Sequence, residues 1–339
     1  MKRRLVLVLI VSAFLAASMG TAFAAQWANP APLVSVDEVE RSLAKPDWVV
    51  VDCRKLEEYA KGHIPGAISL GKNCKDALRD ATSRVFPSAS KYDSLLGKAG
   101  IGNNTHVVLY GDIKSKSLDD ASVGFWIFEY LGHTDKVHVL NGGLEAWTKV
   151  GKKLDTQPVI KPATTFKSKF VKSRIATTEE ILKIAKGQVT GVQLIDSRTK
   201  KEYAGEDIRN VRGGRIPNCT LNASHNDTYD TVKDPATGKD KSTGVLSQDK
   251  VAKIYEKLDK NKRTVAYCQT GSRSTLTYLE LRMLGFKDPA NYDDSWIIYG
   301  ANEKFPVEEE QRIDFSRIKS LEDKVKALEG KLKAEGEKH

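Results

Sequence analysis

The stretch VVVDCRKLEEYAKGHIPGAISL, residues 49–70, returns in a longer form as VQLIDSRTKKEYAGEDIRNVRGGRIPNCTLNA, residues 192–223. Each copy runs through an apolar strand, an Asp-x-Arg (Asp52 and Arg54; Asp196 and Arg198), a Glu-Tyr pair (Glu58-Tyr59; Glu202-Tyr203) and a Gly-x-Ile-Pro turn. The second copy carries an insertion ahead of its turn. A later pair aligns as well: THVVLYGDIKSKSLDDASVGFWIFEYLGH from Thr105 and RTVAYCQTGSRSTLTYLELRMLGF from Arg263 both read strand, loop, helix, Leu-Gly. Behind them stand VHVLNGGLEAW and ANYDDSWIIYG, each a short strand, a Gly- or Asp-rich turn and a tryptophan. Strands alternating with helical stretches predict an α/β fold with parallel strands in each half.

The repeat places two tandem domains at 32–155 and 171–310, the division expected of a chain of 339 residues. Between them, LDTQPVIKPATTFKSKF has two prolines and no helical period, so 156–170 reads as an extended linker. Ser35-Val36-Asp37-Glu38 and Thr177-Thr178-Glu179-Glu180 are N-cap signatures and predict helix starts. Past the second domain, Ile318, Leu321, Val325, Leu328 and Leu332 alternate spacings of three and four, predicting an amphipathic C-terminal helix over 313–335. Only about two heptads are present, so docking on the domain's own surface and self-association through this helix both stay open.

The first 25 residues read as a secretory signal peptide: Lys2, Arg3 and Arg4, an apolar run from Leu5, then small residues ending in Ala22-Phe23-Ala24. The apolar run is short for a membrane span, which predicts an exported chain without stable membrane insertion, periplasmic in a Gram-negative source. Removing this segment lowers the formal net charge from +10 to +7. No basic stripe with interleaved aromatics is present, which argues against a nucleic-acid partner. The four cysteines, Cys53, Cys74, Cys219 and Cys268, form no CxxC and show no metal-ligand spacing. In an exported chain a Cys53–Cys74 disulfide and isolated thiols are both open readings.

Cys268 stands at the end of an apolar strand and is followed by a polar loop, Gln269, Thr270, Gly271, Ser272 and Arg273, that opens a helix. In an α/β domain ligands sit where strands end and helices begin. A strand–loop–helix turn aims backbone N–H groups into the loop, which favours a thiolate over a thiol and can hold an anion beside it. Gly271 lets the backbone fold round the sulfur, and Arg273 adds a cation aimed either into the loop or at an acidic partner. A buried, inert cysteine would explain Cys268 alone but not the polar residues that follow it.

Together these residues resemble the tandem-domain rhodanese, or thiosulfate sulfurtransferase, family, over nearly all of the chain after the signal segment except the C-terminal helix. The resemblance is carried by Asp52-Cys53-Arg54, Gly62-His63-Ile64-Pro65-Gly66-Ala67, Asn141-Gly142-Gly143-Leu144, Asp196-Ser197-Arg198, the loop Cys268–Arg273 and Tyr292-Asp293-Asp294-Ser295-Trp296. It implies two domains, each a mainly parallel sheet flanked by helices, with the active loop in the second. It also implies that Cys268 takes a sulfane sulfur from a small anionic donor such as thiosulfate, with 3-mercaptopyruvate as an alternative donor, and passes it from a persulfide to cyanide or a thiol. No metal or organic cofactor is implied. Arg198 corresponds to the family's substrate-binding arginine, whereas Arg54 reads as its structural copy and Asp196 and His63 as hydrogen-bonding residues. Gly111 occupies the place of Cys268 in the first domain, which is therefore expected to be catalytically silent. Arg215 replaces His63 in the second copy, adding charge at the entrance or facing solvent.

Two other classes bear weighing. Rhodanese-like phosphatases, and arsenate enzymes of that kind, close a Cys-x5-Arg loop round their oxyanion, but Cys268 to Arg273 spans only Cys-x4-Arg. A sulfur or metalloid carrier, or a partner module using the C-terminal helix, would load sulfur without turning over.

Overall fold

The computed structural model describes residues 27–79, 86–113, 118–238 and 240–336; the expected signal peptide lies outside these. The first half contains β1 (Leu33–Val34), α1 (Val36–Ser42), β2 (Trp48–Asp52), α2 (Leu56–Lys61), β3 (Ile68–Ser69), α3 (Cys74–Leu78), α4 (Ala89–Lys98), β4 (His106–Tyr110), α5 (Leu118–Tyr130), β5 (Val137–Leu140) and α6 (Gly143–Lys149). The second contains α7 (Thr178–Ala185), β6 (Gln193–Asp196), α8 (Lys200–Tyr203), β7 (Gly213–Arg215), β8 (Leu221–Asn222), β9 (Tyr229–Lys233), β10 (Asp240–Val245), α9 (Gln248–Ile254), β11 (Arg263–Tyr267), α10 (Arg273–Met283), β12 (Asp288–Asn291), α11 (Ser295–Tyr299) and β13 (Glu308–Gln311), followed by α12 (Phe315–Gly336).

Runs such as WVVVD and HVVLY are β-branched and buried on both faces, the pattern of strands inside a parallel sheet. The first sheet has the order β1-β5-β4-β2-β3 and the second β12-β11-β6-β8, with every pairing parallel. The orders superimpose element for element, and a single parallel bridge, Ile175 to Asn291, stands where the first half has β1. Ser35 forms a capping box with Glu38 and Thr177 caps α7, as their sequences predict. Among the described residues the antiparallel hairpin β9–β10, which enters the second half between β8 and α9, has no counterpart in the first half.

Residues 156–171 hold no helix or strand and lie along the first half. Phe166 is buried, and Thr164, Lys169 and Val171 donate backbone hydrogen bonds to Gly97, Leu131 and Tyr130. The halves then pack through α5 against α10, with Phe125 beside Tyr278 and Ser122 Oγ 2.8 Å from Thr275 Oγ1. Glu129 is buried and accepts from Tyr278 and Arg282 across this contact. The largest hydrophobic cluster runs through both halves, from Val51 and Leu109 to Leu276 and Leu281. At the far end of α10, Asn29 N–H donates to the carbonyl of Met283, so the segment before β1 also bridges the halves.

The described middle of the C-terminal helix, 319–330, is not docked on its own domain. Residues 319–330 are exposed throughout, with Leu321, Val325 and Leu328 each more than half exposed at 52%, 51% and 58%. No helix among the described residues is long and apolar enough to cross a membrane.

Candidate active site

The same polar frame stands at the C-terminal strand ends of both sheets. In the first half Asp52 pairs in register with Tyr110, and Asp52 Oδ2 accepts from Tyr110 Oη at 2.6 Å. Arg54 grips Asp52 through Nε and Nη2 and also donates to the carbonyl of Gly62 at 2.6 Å. In the second half Asp196 pairs in register with Tyr267, and Arg198 grips Asp196 (Nε to Oδ1 3.0 Å, Nη2 to Oδ2 2.6 Å) and the carbonyl of Gly214 at 2.8 Å. The next residue after each tyrosine is Gly111 in one half and Cys268 in the other. Burial opposes charge on Arg198, yet the Asp196 carboxylate outweighs it and raises the guanidinium's pKa.

Arg198 thus makes the bonds that Arg54 makes. Its Nε and Nη2 are held on Asp196 and Gly214, and its Cζ lies 4.5 Å from the centre of the Trp296 ring and 5.6 Å from that of Tyr267. Tyr267 directly precedes Cys268 and Trp296 bonds the Cys268 carbonyl, so Arg198 packs against two residues that hold the loop. Asp196 bonds the backbone N–H of Arg198 at 2.9 Å, the loop-fixing role its sequence suggests. His63 Nδ1 lies 2.9 Å from the carbonyl of Tyr59, and its ring stacks on Tyr59. Arg215 replaces this stack: its guanidinium lies over Tyr203 and Nε donates to Glu308, which leaves the side chain partly buried.

Cys268 follows β11, is buried, and is a free thiol. Its backbone carbonyl accepts from Trp296 N–H at 3.0 Å and its N–H donates to Ser295 Oγ at 3.1 Å. Ser295 has φ 49°, a left-handed conformation, at the place where the first half has Gly143 with φ 57°. A serine in that conformation is strained, and here its hydroxyl also donates to Tyr292 O at 2.7 Å. Gln269 donates to the carbonyl of Arg209, and Gln269 and Thr270 are the half-exposed rim of the loop. Gly271, at φ 77°, lies against Asp293 so closely that a Cβ would sit 2.4 Å from both Asp293 O and Oδ1. Asn291 Nδ2 donates to the Gly271 carbonyl at 3.1 Å, tying the loop to the next strand.

Arg273 pairs with a buried acid: Nη1 and Nη2 reach Glu202 at 2.8 and 2.7 Å in a two-point pair. Burial alone would push the Glu202 carboxyl up, but Arg273 outweighs it and holds the group at about 2. Burial lowers the pKa of Arg273, and the Glu202 bonds and then the charge of nearby Cys268 raise it above the usual arginine value. Ser272 Oγ accepts from Arg79 Nη2 at 2.8 Å, and the same buried guanidinium pairs with Asp293.

Arg79 is the residue that sequence reading misses. It comes from the first half, at the C-cap of α3, and crosses to the second half's loop. The disulfide Cys53–Cys74 joins the end of β2 to the first residue of α3 and so fixes the helix that presents it; both cysteines are buried. Ser295, Glu202 and Asp293 are likewise parts of the site, and only their place in the repeated motifs marks them in sequence. Burial pushes the remaining thiol, Cys219, up to about 12, which leaves it unreactive. Among the described residues no group of three or more His, Cys, Asp or Glu converges to hold a metal ion.

The Rhodanese family model, described as a Rhodanese-like domain, matches residues 35–150 and again 177–297. A putative thiosulfate sulfurtransferase of Mycobacterium tuberculosis (strain H37Rv) is 31% identical over 290 residues, covering 81% of this chain and 97% of its own length. A thiosulfate sulfurtransferase of Corynebacterium glutamicum is 32% identical over 300 residues, covering 84% and 92%. Among solved structures, the 3-mercaptopyruvate sulfotransferase SseA of Escherichia coli shares the fold with a TM-score of 0.64 at 21% identity, covering 80% of this chain and 99% of its own. An anaerobic ergothioneine biosynthesis enzyme from Chlorobium limicola shares it with a TM-score of 0.69 at 21% identity, covering 83% and 71%.

Proposed function

We propose a function from one premise: the chain belongs to the rhodanese family, as a tandem of two rhodanese-like domains. Its reaction is of the sulfurtransferase type, and Cys268 is the residue that carries the sulfur. The single observation behind this reading is the asymmetry of the two frames, identical in Tyr, Asp and Arg but ending in Gly111 in one half and in the thiol of Cys268 in the other.

The donor in this reading is thiosulfate. The Cys268 thiolate attacks the outer sulfur, the S–S bond breaks, and sulfite leaves with the bonding electron pair. The resulting persulfide is attacked at its terminal sulfur by cyanide or a thiolate, which restores the Cys268 thiolate and releases thiocyanate or a new persulfide. No electrons are left over, so no redox partner is required. Arg273, beside Cys268, supplies positive charge at the loop, and backbone N–H groups of the strand–loop–helix turn face the anion. With 3-mercaptopyruvate as donor the bond broken is C–S instead of S–S: Cys268 attacks the mercapto sulfur, pyruvate leaves as its enolate and takes up the proton of the donor thiol, and the rim residues Gln269 and Thr270 would meet the donor's carboxylate. The names borne by the curated relatives support thiosulfate. The first half, lacking the thiol, acts as the silent wall of the site. The N-terminal signal pattern and the buried Cys53–Cys74 disulfide support an exported protein in an oxidising compartment, the periplasm in a Gram-negative cell.

Steady-state production of thiocyanate from thiosulfate and cyanide tests this. Turnover is expected in the native chain and none in Cys268→Ser, with mass spectrometry mapping one added sulfur to Cys268. Stoichiometric loading without turnover would make the chain a carrier instead of an enzyme.

A further inference from the structure

We propose that α12 is a dimerisation helix, which pairs in parallel with α12 of a second copy of this chain as a two-stranded coiled coil. The seam is written in sequence from Ile318 to Leu332, and its described members, Leu321, Val325 and Leu328, are each more than half exposed. A helix whose described residues 319–330 are all exposed, with Gly330 among them, is weak alone and gains its stability from packing an apolar stripe.

The seam specifies its partner. With Leu321 and Leu328 at the d positions of the heptad, Val325 falls at a, and in sequence Ile318 and Leu332 do too. β-Branched residues at a, as Ile318 and Val325 are, with Leu at d favour two parallel strands. The flanking positions are sorted by sign: Glu322 and Glu329 occupy e, while Lys324, and in sequence Arg317 and Lys331, occupy g. In a parallel pair each g residue faces the e residue of the next heptad on the partner, so Lys324 meets Glu329 of the other copy, and Arg317 meets Glu322. An antiparallel pair would set g against g and e against e, lysine on lysine and glutamate on glutamate. The charges therefore favour a second copy of this helix in one orientation. Gly330, at f, lies on the outer side, away from the seam.

The full chain without its signal segment, studied by sedimentation over a range of concentrations, is expected to show a reversible monomer–dimer equilibrium. Lys324→Glu alone and Glu329→Lys alone each turn two attractive pairs per dimer into repulsive ones and should weaken it about tenfold. Mixing these two variants restores attraction at every pair and should restore dimer. Leu321→Glu with Val325→Glu should give monomer while turnover at Cys268 is unchanged, which shows that the domains remain folded. Orientation is read from Leu328→Cys in a chain with Cys219→Ser and Cys268→Ser: facing d positions in a parallel pair cross-link under mild oxidation, and an antiparallel pair does not. A chain that stays monomeric at all concentrations overturns the proposal. So does a dimer that survives the double glutamate variant, one that fails to cross-link at Leu328→Cys, or a monomer whose α12 instead binds anionic lipid vesicles.

Discussion

Gly271 and Glu202 show how closely the loop is held at the scale of single residues. Gly271 combines a left-handed backbone with a collision waiting at Asp293, so Gly271→Ala must move a backbone carbonyl as well as strain φ. Its cost is expected to be about 1–3 kcal/mol in denaturant unfolding, with turnover falling further than stability because the displaced backbone is that of the loop itself. Glu202 is a depressed carboxylate, held at about 2 against an ordinary value of 4.5. Its contribution is therefore fully present above about pH 4.5 and lost as pH falls from there through about 2. Glu202→Gln removes it, so the difference in melting temperature between native chain and variant should be constant near neutrality and shrink below about pH 4. A gap that persisted to pH 2 would mean that the pair is not what holds Arg273. Ser295 completes the set: where the first half has glycine at the left-handed position, the second has a hydroxyl that occupies the N–H of Cys268.

At the scale of elements, the distinctive piece is α3, five residues long, stapled at its start by Cys74 to Cys53 and ending in the arginine that reaches Ser272 and Asp293. Removing one member of a buried ion pair leaves the other without compensation, at a cost of about 3–5 kcal/mol. Arg79→Met is therefore expected to destabilise the chain by that order and to cut turnover, although it lies some distance along the chain from Cys268 and in the other domain. Arg79→Met combined with Asp293→Asn should recover much of the stability, and unfolding curves of the single and double variants measure the coupling. The elements were legible to different degrees. The strands, the caps at Ser35 and Thr177 and the duplicated frame follow from periodicity and repeated motifs, because those signals are local. The hairpin β9–β10 was not legible, since it has no partner in the repeat to align with. Nor was Arg79, whose role depends on the packing of one half against the other. Arg198 was legible as important, but its bonding was read by resemblance. Only the structure shows its donors engaged by Asp196, as those of Arg54 are by Asp52.

At the scale of the whole molecule, the two halves share one apolar core, and α5 is the element that joins them. It is buried along nearly its whole length, including Phe125, Trp126, Ile127 and Phe128, partly by its own sheet and partly by α10 of the other half. A single unfolding transition is the expected behaviour, and residues 27–170 produced alone should be aggregation-prone, with the native chain soluble under the same conditions. A soluble, cooperatively folded first half would show that α10 is dispensable to it.

The bond from Asn29 to the carbonyl of Met283 adds a constraint of time to this one of space. A ribosome makes the first half long before α10 exists, and contacts far apart in sequence close late. The segment before β1 thus lacks its seat on α10 throughout synthesis of the linker and most of the second half, and α5 lacks its cover. During that interval the growing chain presents an apolar helix to whatever surrounds it, and completion of α10, rather than completion of either sheet, ends the exposure.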